Sequence, residues 1–211
     1  MKEVLEQNEN KQEKLINEVE SEAKKDPKKQ KVLLRVKDVS LIALFASFIV
    51  VCSWISIPFV VPFTLQTFAV FLALIVLGGL RGTLSILTYI LLGIIGLPVF
   101  ANFNGGFAYL IGPTGGYIVG FLLTGLLMWA LEKPFSKKND GFLIISMLLG
   151  LIVCYACGTI WFRIVYLNKG NDITIMKVLF TCVIPFIIPD ILKIVVALVI
   201  KNKLKKLIKI E

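Results

Sequence analysis

Six long apolar stretches limit what this chain of 211 residues can fold into. They cover residues 41–57, 63–80, 83–100, 113–131, 142–166 and 178–200. A helix needs about 20 such residues to cross roughly 30 Å of hydrocarbon, and the stretches are close to that length. Hydrophobic residues make up 57% of the chain, above the roughly 45 to 50% that is usual in soluble domains. The sequence therefore predicts an all-α, multi-pass integral membrane protein with six transmembrane helices.

Basic residues are distributed unevenly between the two sides of these predicted spans. Of the 23 Lys and Arg residues, 19 fall on one side, while Arg163, Lys169 and Lys177 fall on the other. Because Lys and Arg accumulate in cytoplasmic segments, we expect both termini in the cytoplasm and the chain in the cell (cytoplasmic) membrane. We attribute the net charge of +9 to basic residues in the cytoplasmic segments and to their contact with anionic lipids. We do not attribute it to nucleic-acid binding.

The two ends of the chain differ in composition from its middle. Residues 1–38 carry 10 basic and 9 acidic residues and few apolar ones, which is typical of a solvated cytoplasmic tail, disordered or partly helical. A helix that docks a partner is the alternative for this tail. Residues 201–211 form a short basic cytoplasmic tail. We therefore expect one transmembrane domain over residues 39–200.

Several classes of enzyme are excluded by residue types that the sequence lacks. The chain has no His, so Ser-His triads, His-ligated zinc or haem, and His proton relays are ruled out. It also has no glycine loop ending in GK[ST], so it does not hydrolyse ATP by that route. Cys154 and Cys157 form a CxxC spacing, but small apolar packing is the commoner role of cysteines on a hydrophobic helix. We expect neither a catalytic site nor a bound metal.

The last apolar stretch contains two charged residues, Asp190 and Lys193. A charge at bilayer depth costs roughly 2.5 to 3.5 kcal/mol even on lenient scales, so such residues mark candidate ligand sites. The spacing of three residues places the two side chains on one side of a helix, about 60° apart. Pro185 and Pro189 precede the pair, and we expect them to free the carbonyls of Thr181 and Pro185 beside it. The alternative is an internal ion pair that only sets helix packing.

Two further stretches carry polar groups on the side predicted to be extracellular. Residues 98–117 contain Asn102 and Asn104 among aromatics and glycines, without any charge, and predict a folded-in loop. Asparagines offer both donors and acceptors, which suits recognition of an amide-like or urea-like group. A polar interfacial turn is the alternative for this loop. Thr64, Gln66 and Thr67 open the second span, although Thr often bonds carbonyls of its own helix.

Five sequence patterns resemble, in their order along the chain, the BioY family. They are PFTLQTF at 62–68, Arg-Gly at 81–82, GLPVFA at 96–101, GPTGGY at 112–117 and D-x-x-K at 190–193. BioY proteins are the biotin-specific S components of energy-coupling-factor (ECF) transporters. The resemblance extends from about residue 41 to the C-terminal tail. It implies the six-helix S-component fold.

The resemblance also implies a function and a set of partners. Biotin would be captured outside and released inside, with ATP bound and hydrolysed only by two ATPase subunits attached to a transmembrane coupling subunit. Such a chain is not an enzyme and has no resident cofactor. Some family members are thought to transport alone. A homo-oligomer is an alternative assembly for this chain.

Biotin presents a urea-like ring, a thioether and a carboxylate, so its site needs acceptors, donors and an apolar sleeve. By resemblance, Asp190 and Lys193 are central, with Asp190 the acceptor for ureido N–H groups and Lys193 either a ligand contact or a support for Asp190. Either Asn102 or Asn104 is expected to supply one loop contact. Further candidates for contacts are Gln66, Thr64, Phe100 and Tyr155.

The sequence departs from the family pattern at two places. The family usually has Pro-Gly before the aspartate, whereas this chain has Ile188-Pro189, which puts the local bend in question. The small-xxx-small motif with which S components dock on their partner is present as Ala43 and Ser47, with Ser replacing the second Ala. Close packing should survive this exchange.

Two other transport functions fit part of the same pattern. An S component for a different vitamin would share the fold and the docking face. A self-sufficient gradient-driven transporter would need a titrating carboxylate, for which Asp190 is the candidate.

Overall fold

The computed structural model describes residues 27–132, 140–170 and 173–207, and most of them are helical. The helices are α1 (Pro27–Trp54), α2 (Gln66–Leu77), α3 (Gly79–Ile94), α4 (Phe107–Ile111), α5 (Gly115–Glu132), α6 (Asp140–Asn168), α7 (Ile175–Cys182) and α8 (Ile184–Leu207). Between α1 and α2, strands β1 (Ser56–Ile57) and β2 (Phe63–Thr64) pair antiparallel as a short hairpin, with Ser56 opposite Thr64. A 3-10 turn, Ala101–Phe103, lies between α3 and α4.

The chain divides into two compact units, Met1–Leu41 and Ile42–Glu211. In the first unit the described residues, 27–41, are all helical. They include positions 27–38 of the predicted tail, which are therefore helical. The predictions for residues 1–26 and 208–211 lie outside the described residues, as do those for the 133–139 loop.

Each predicted span corresponds to helical segments, but not every helix is long enough to cross a membrane. Three described helices qualify by length and composition, Val36–Trp54, Gly115–Glu132 and Gly141–Asn168, and the bent pair α7 and α8 makes a fourth if it is one span. With 12 and 16 residues, α2 and α3 extend only about 18 and 24 Å. One reason is that residues 63–65, assigned to the second span, belong to the hairpin and the turn after it. The chain is multi-pass, and the count of six spans stays a prediction.

The break between α2 and α3 is built around two adjacent glycines. Gly78 adopts φ of +84°, a conformation that residues with a Cβ rarely adopt. The N–H of Gly79 donates to Glu132 Oε2 at 2.6 Å, which satisfies one of the free donors at the start of α3. A Cβ on Gly79 would lie 2.4 Å from Cα of Trp129, so α5 approaches this turn at backbone distance. The connection between these two helices is therefore tight, with Gly78 alone between them.

Helices α5 and α6 pack against each other along a seam of glycines. A Cβ at Gly116 would lie 2.2 Å from Cβ of Trp161, and one at Gly120 would lie 3.0 Å from Cα of Cys154. Small residues at such positions allow the two helix backbones to approach closely. This close approach brings the middle of α6, which includes Tyr155, next to the start of α5.

The helix that carries the charged pair is broken before it. Helix α7 ends at Cys182 and α8 begins at Ile184, and the two are bent by 41°. Pro185 therefore lies in the first turn of α8, where a missing N–H removes no helical hydrogen bond. Thr181 and Pro185 thus belong to different helices, and the prediction that the Thr181 carbonyl is free stays a prediction. Pro189 does lie inside α8, so the Pro185 carbonyl receives no helical N–H from it.

Many large apolar side chains of the described residues face outwards. Leu44, Ile152, Ile160 and Leu192 each expose more than 60% of their surface, and similar residues occur along all the long helices. Apolar exposure on this scale is not tolerated in a soluble monomer, but it matches the lipid surroundings of a membrane protein.

We predict that Gly79→Ala destabilises the protein by about 1 to 3 kcal/mol, because the added methyl group meets the backbone of α5. Unfolding in detergent, followed by circular dichroism, measures the effect. The control is Gly141→Ala in α6, where the methyl group meets no atom within 4 Å and should be neutral or slightly stabilising. Equal stability of the two variants would contradict the packing described here.

Candidate functional site

The centre of the site is a buried ion pair within α8. The Nζ atom of Lys193 lies 2.8 Å from Oδ1 of Asp190, and the two residues are only 7% and 3% exposed. The predicted spacing of three residues thus brings the charges into direct contact. Removing two charges from water is expensive, and their mutual attraction offsets this only when the geometry is good and other hydrogen bonds complete the shell.

Two other elements complete the hydrogen bonding of the pair. The hydroxyl of Tyr155, on α6, donates to Oδ2 of Asp190 at 2.7 Å. Lys193 Nζ donates to the backbone carbonyl of Thr64, on β2, at 2.7 Å and lies 4.5 Å from the ring centre of Phe63. Each oxygen of the carboxylate therefore accepts a hydrogen bond, and the ammonium faces two acceptors and an aromatic ring. The pair connects β2, α6 and α8.

A cavity opens beside this cluster, enclosed by the hairpin, the 3-10 turn, the start of α2 and helices α4 to α8. Its lining residues are Val61, Pro62, Thr64, Gln66, Thr67, Ala101, Tyr109, Thr114, Tyr117, Ile118, Phe121, Leu151, Cys154, Tyr155, Cys182, Phe186, Asp190 and Lys193. Most of the wall is apolar or aromatic, and a small number of polar groups interrupts it. This composition is typical of a site for a small organic ligand.

Gln66 is the cavity residue whose polar group is least satisfied. Its side chain is 5% exposed, and Nε2 has no hydrogen-bond partner among the described residues. The start of α2 positions it, because the backbone N–H of Gln66 donates to Oγ1 of Thr64 at 3.2 Å. A buried amide donor without a partner is costly unless a ligand or water completes it.

Aromatic residues support the cavity wall from behind and from the side. The ring of Phe63 stacks on Phe186 at a centroid distance of 5.7 Å, which connects the hairpin to α8. Phe100, completely buried, stacks on Tyr109 at 5.3 Å. These stacks hold Phe186 and Tyr109, two lining residues, in place.

The structure brings together five of the eight residues that the sequence suggested for ligand contact. Asp190, Lys193, Gln66, Thr64 and Tyr155 all line the cavity. Asn102, Asn104 and Phe100 do not belong to its lining. Phe100 lies one layer deeper, behind Tyr109, so it supports the wall without forming it.

The two asparagines instead hold the loop together. Oδ1 of Asn102 accepts a hydrogen bond from Ser56 Oγ at 2.8 Å, and Nδ2 of Asn104 donates to the Ala101 carbonyl at 2.8 Å. Asn102 has φ of +57°, a left-handed conformation that Asn tolerates better than most residues. The loop is folded in as predicted, and Trp54 Nε1 also donates to its Pro98 carbonyl. Both asparagine side chains remain exposed.

Sequence reasoning missed several lining residues, although they lie within or beside patterns that it had identified. Thr114 and Tyr117 belong to the GPTGGY pattern, Cys154 precedes Tyr155, and Phe186 stands between the two prolines. Tyr117 connects two parts of the wall, because its hydroxyl donates to the Cys182 carbonyl at 3.4 Å. Aromatic and small residues in an apolar run are indistinguishable from core residues until the helices are assembled.

The two residues predicted to dock a partner lie on α1. Ala43 and Ser47 are both exposed, and Ser47 Oγ donates to the Ala43 carbonyl at 3.0 Å. The serine hydroxyl is thereby satisfied within its own helix, so this surface stays small and can pack closely against another helix.

Comparison with known proteins gives consistent matches along nearly the whole chain. A family model described as the BioY family matches residues 24–210. The protein named biotin transporter BioY from Thermotoga maritima is 44% identical over 165 residues, which cover 78% of this chain and 93% of the relative. The probable biotin transporter BioY from Pyrococcus horikoshii is 40% identical over 174 residues, covering 82% and 98%.

A solved structure agrees with these matches. It is described as the crystal structure, at 2.1 Å, of the S-component for biotin from an ECF-type ABC transporter. The TM-score is 0.71 and the sequence identity 31%, with 82% of this chain and 93% of the solved chain covered.

We predict that Lys193→Met destabilises the protein by about 3 to 5 kcal/mol, because it leaves the buried Asp190 carboxylate without its counterion. Thermal unfolding in detergent measures this loss. The double variant Asp190→Asn/Lys193→Met removes both charges and should recover a large part of the stability. If Lys193→Met were as stable as the unaltered protein, the pair would not have the structural role that its geometry indicates.

Proposed function

The chain belongs to the BioY family, and from that membership we infer that it takes up biotin as the substrate-binding component of an ECF transporter. It is a transport protein and not an enzyme. We propose that biotin binds in the cavity beside Asp190. The observation that carries this proposal is the buried Asp190 carboxylate, held by donors from two elements and bordering an otherwise largely apolar cavity.

The cavity supplies each kind of contact that biotin needs. The remaining lone pairs of the Asp190 carboxylate suit the two ureido N–H groups, and the unpartnered Nε2 of Gln66 suits the ureido oxygen. Phe121, Leu151 and Phe186 provide apolar surface for the thioether ring and the alkyl chain. Other lining hydroxyls, those of Thr67, Thr114 and Tyr109, are candidate donors for the biotin carboxylate.

We assign Lys193 a supporting role for Asp190. Its ammonium donates to the Asp190 carboxylate and to the Thr64 carbonyl and lies 4.5 Å from the ring centre of Phe63. Few donors are left over for a ligand. In this assignment Lys193 balances the charge of Asp190 and holds it next to the hairpin.

The remaining parts of the proposal concern topology and partners. We propose six spans and cytoplasmic termini, on the basis of the six apolar stretches and the uneven distribution of Lys and Arg. We also propose that a transmembrane coupling subunit docks on α1 at Ala43 and Ser47 and that ATPase subunits supply the energy. The exposed small surface of α1 and the solved S-component relative support this assignment.

We expect the purified protein in detergent to bind biotin, but not riboflavin or thiamine, in a calorimetric titration. Asp190→Asn should weaken biotin binding severely, by about 100-fold or more, because it disrupts a buried, charged hydrogen-bond cluster. Circular dichroism and gel filtration check that the variant is folded. Binding of another vitamin in place of biotin would be consistent with the S-component fold but would refute biotin as the substrate. Unchanged binding by folded Asp190→Asn would place the biotin site elsewhere.

We expect Ala43→Trp to leave biotin binding intact but to abolish biotin uptake in cells that contain the partner subunits. The bulky ring would block close helix packing at an exposed position on α1. Ile152→Trp, at a position on α6 that is 62% exposed, is the matched control and should retain uptake. Normal uptake by Ala43→Trp would refute docking at this surface, and loss of binding would point to misfolding.

A further inference from the structure

The Asp190 carboxylate is held by two residues that differ in kind. Lys193 belongs to the same helix, three residues further along, and contacts Oδ1 at 2.8 Å. Tyr155 belongs to α6, 35 positions earlier in the sequence, and donates to Oδ2 at 2.7 Å. Lys193 binds one carboxylate oxygen, and Tyr155 binds the other from a different helix. A hydrogen bond to each oxygen determines the plane of the carboxylate, and Tyr155 supplies the second of the two.

The hydroxyl of Tyr155 has a single proton, and that proton is engaged with Asp190. Tyr155 consequently has no donor to offer a ligand oxygen, although its ring lines the cavity. Oδ2 in turn has no other protein donor among the residues that the structure describes. Without this hydroxyl, a nearly buried carboxylate oxygen would depend on water or on the ligand for a partner.

We propose that Tyr155 is a positioning residue for biotin binding, acting through Asp190. In this assignment its hydroxyl fixes the carboxylate plane, so that the free lone pairs of Asp190 point into the cavity and meet the ureido N–H groups. This inference rests on the proposed function, because biotin is the ligand that it positions Asp190 to bind. It differs from the sequence-based expectation, in which Tyr155 contacts biotin directly.

The advantage of such a support is preorganisation. A carboxylate that is already oriented loses no rotational freedom when the ligand binds. The entropy cost of binding is therefore lower and the affinity is higher. A hydrogen bond to a charged group is worth more than one between neutral groups. We therefore expect loss of the Tyr155 hydroxyl to weaken biotin binding about tenfold, which corresponds to about 1.4 kcal/mol.

The first test measures the hydrogen bond itself. The chain contains five Asp residues, so infrared spectra of protein labelled with ¹³C-carboxyl aspartate, compared with Asp190→Asn, identify the Asp190 band. Tyr155→Phe should shift this carboxylate band in the absence of any ligand. The matched control is Tyr166→Phe, which removes a hydroxyl from the same helix at a ring that stacks on Phe162, and it should leave the band unchanged. An unshifted band in Tyr155→Phe would refute the inference.

The second test measures the consequence for binding. In calorimetric titrations with biotin, Tyr155→Phe should bind about tenfold more weakly than the unaltered protein, and Tyr166→Phe should bind equally well. If the unaltered protein binds biotin and Tyr155→Phe binds it just as tightly, the positioning role is refuted while the proposed function stands. If the unaltered protein binds no biotin, the proposed function itself is refuted. A shifted band together with weaker binding in Tyr155→Phe alone establishes the inference.

Discussion

The buried ion pair between Asp190 and Lys193 is the interaction on which the arrangement of the site depends. In a medium of low dielectric constant, each of these charges alone would be prohibitively unfavourable, so the two must be in contact and their remaining hydrogen bonds must be completed. The fold provides this completion from distant parts of the chain. The Thr64 carbonyl binds Lys193 across 129 positions of sequence, and the Tyr155 hydroxyl binds Asp190 across 35. The hydrogen bonds that this ion pair requires thus connect the hairpin, α6 and α8.

The space next to the pair exists because the surrounding helices do not pack uniformly. Gly116 and Gly120 let α5 and α6 approach closely at one side, while the break after Cys182 turns α8 away from α7 by 41°. Phe63 stacks on Phe186 beside the cavity, and the ring of Phe63 also lies 4.5 Å from the ammonium of Lys193. The result is a mostly apolar cavity with its charge at one edge, a combination that suits a ligand with a polar ring and an alkyl chain.

The sequence predicted the residues at the centre of the site better than those at its rim. Asp190 and Lys193 could be found because a charge in an apolar run is rare and its partner stood one helical turn away. Asn102 and Asn104 were chosen by the same chemical reasoning, yet loops have no periodicity that reveals where a side chain points. In the folded chain these two amides bind Ser56 and the Ala101 carbonyl. The break at Val183 was also invisible, because the prolines that follow it fit either a kinked helix or a new helix start.

Composition, charge distribution and motif order were sufficient to determine the class of this protein, a mostly helical membrane protein of the BioY family. These properties are local or additive along the chain, so they can be read without knowing how it folds. The tertiary structure decided that Tyr155 meets Asp190, that Nε2 of Gln66 has no hydrogen-bond partner in the described part of the chain, and that Phe100 lies behind the wall. Such contacts join residues far apart in sequence, and they follow from helix approach and helix breaks that no local pattern encodes.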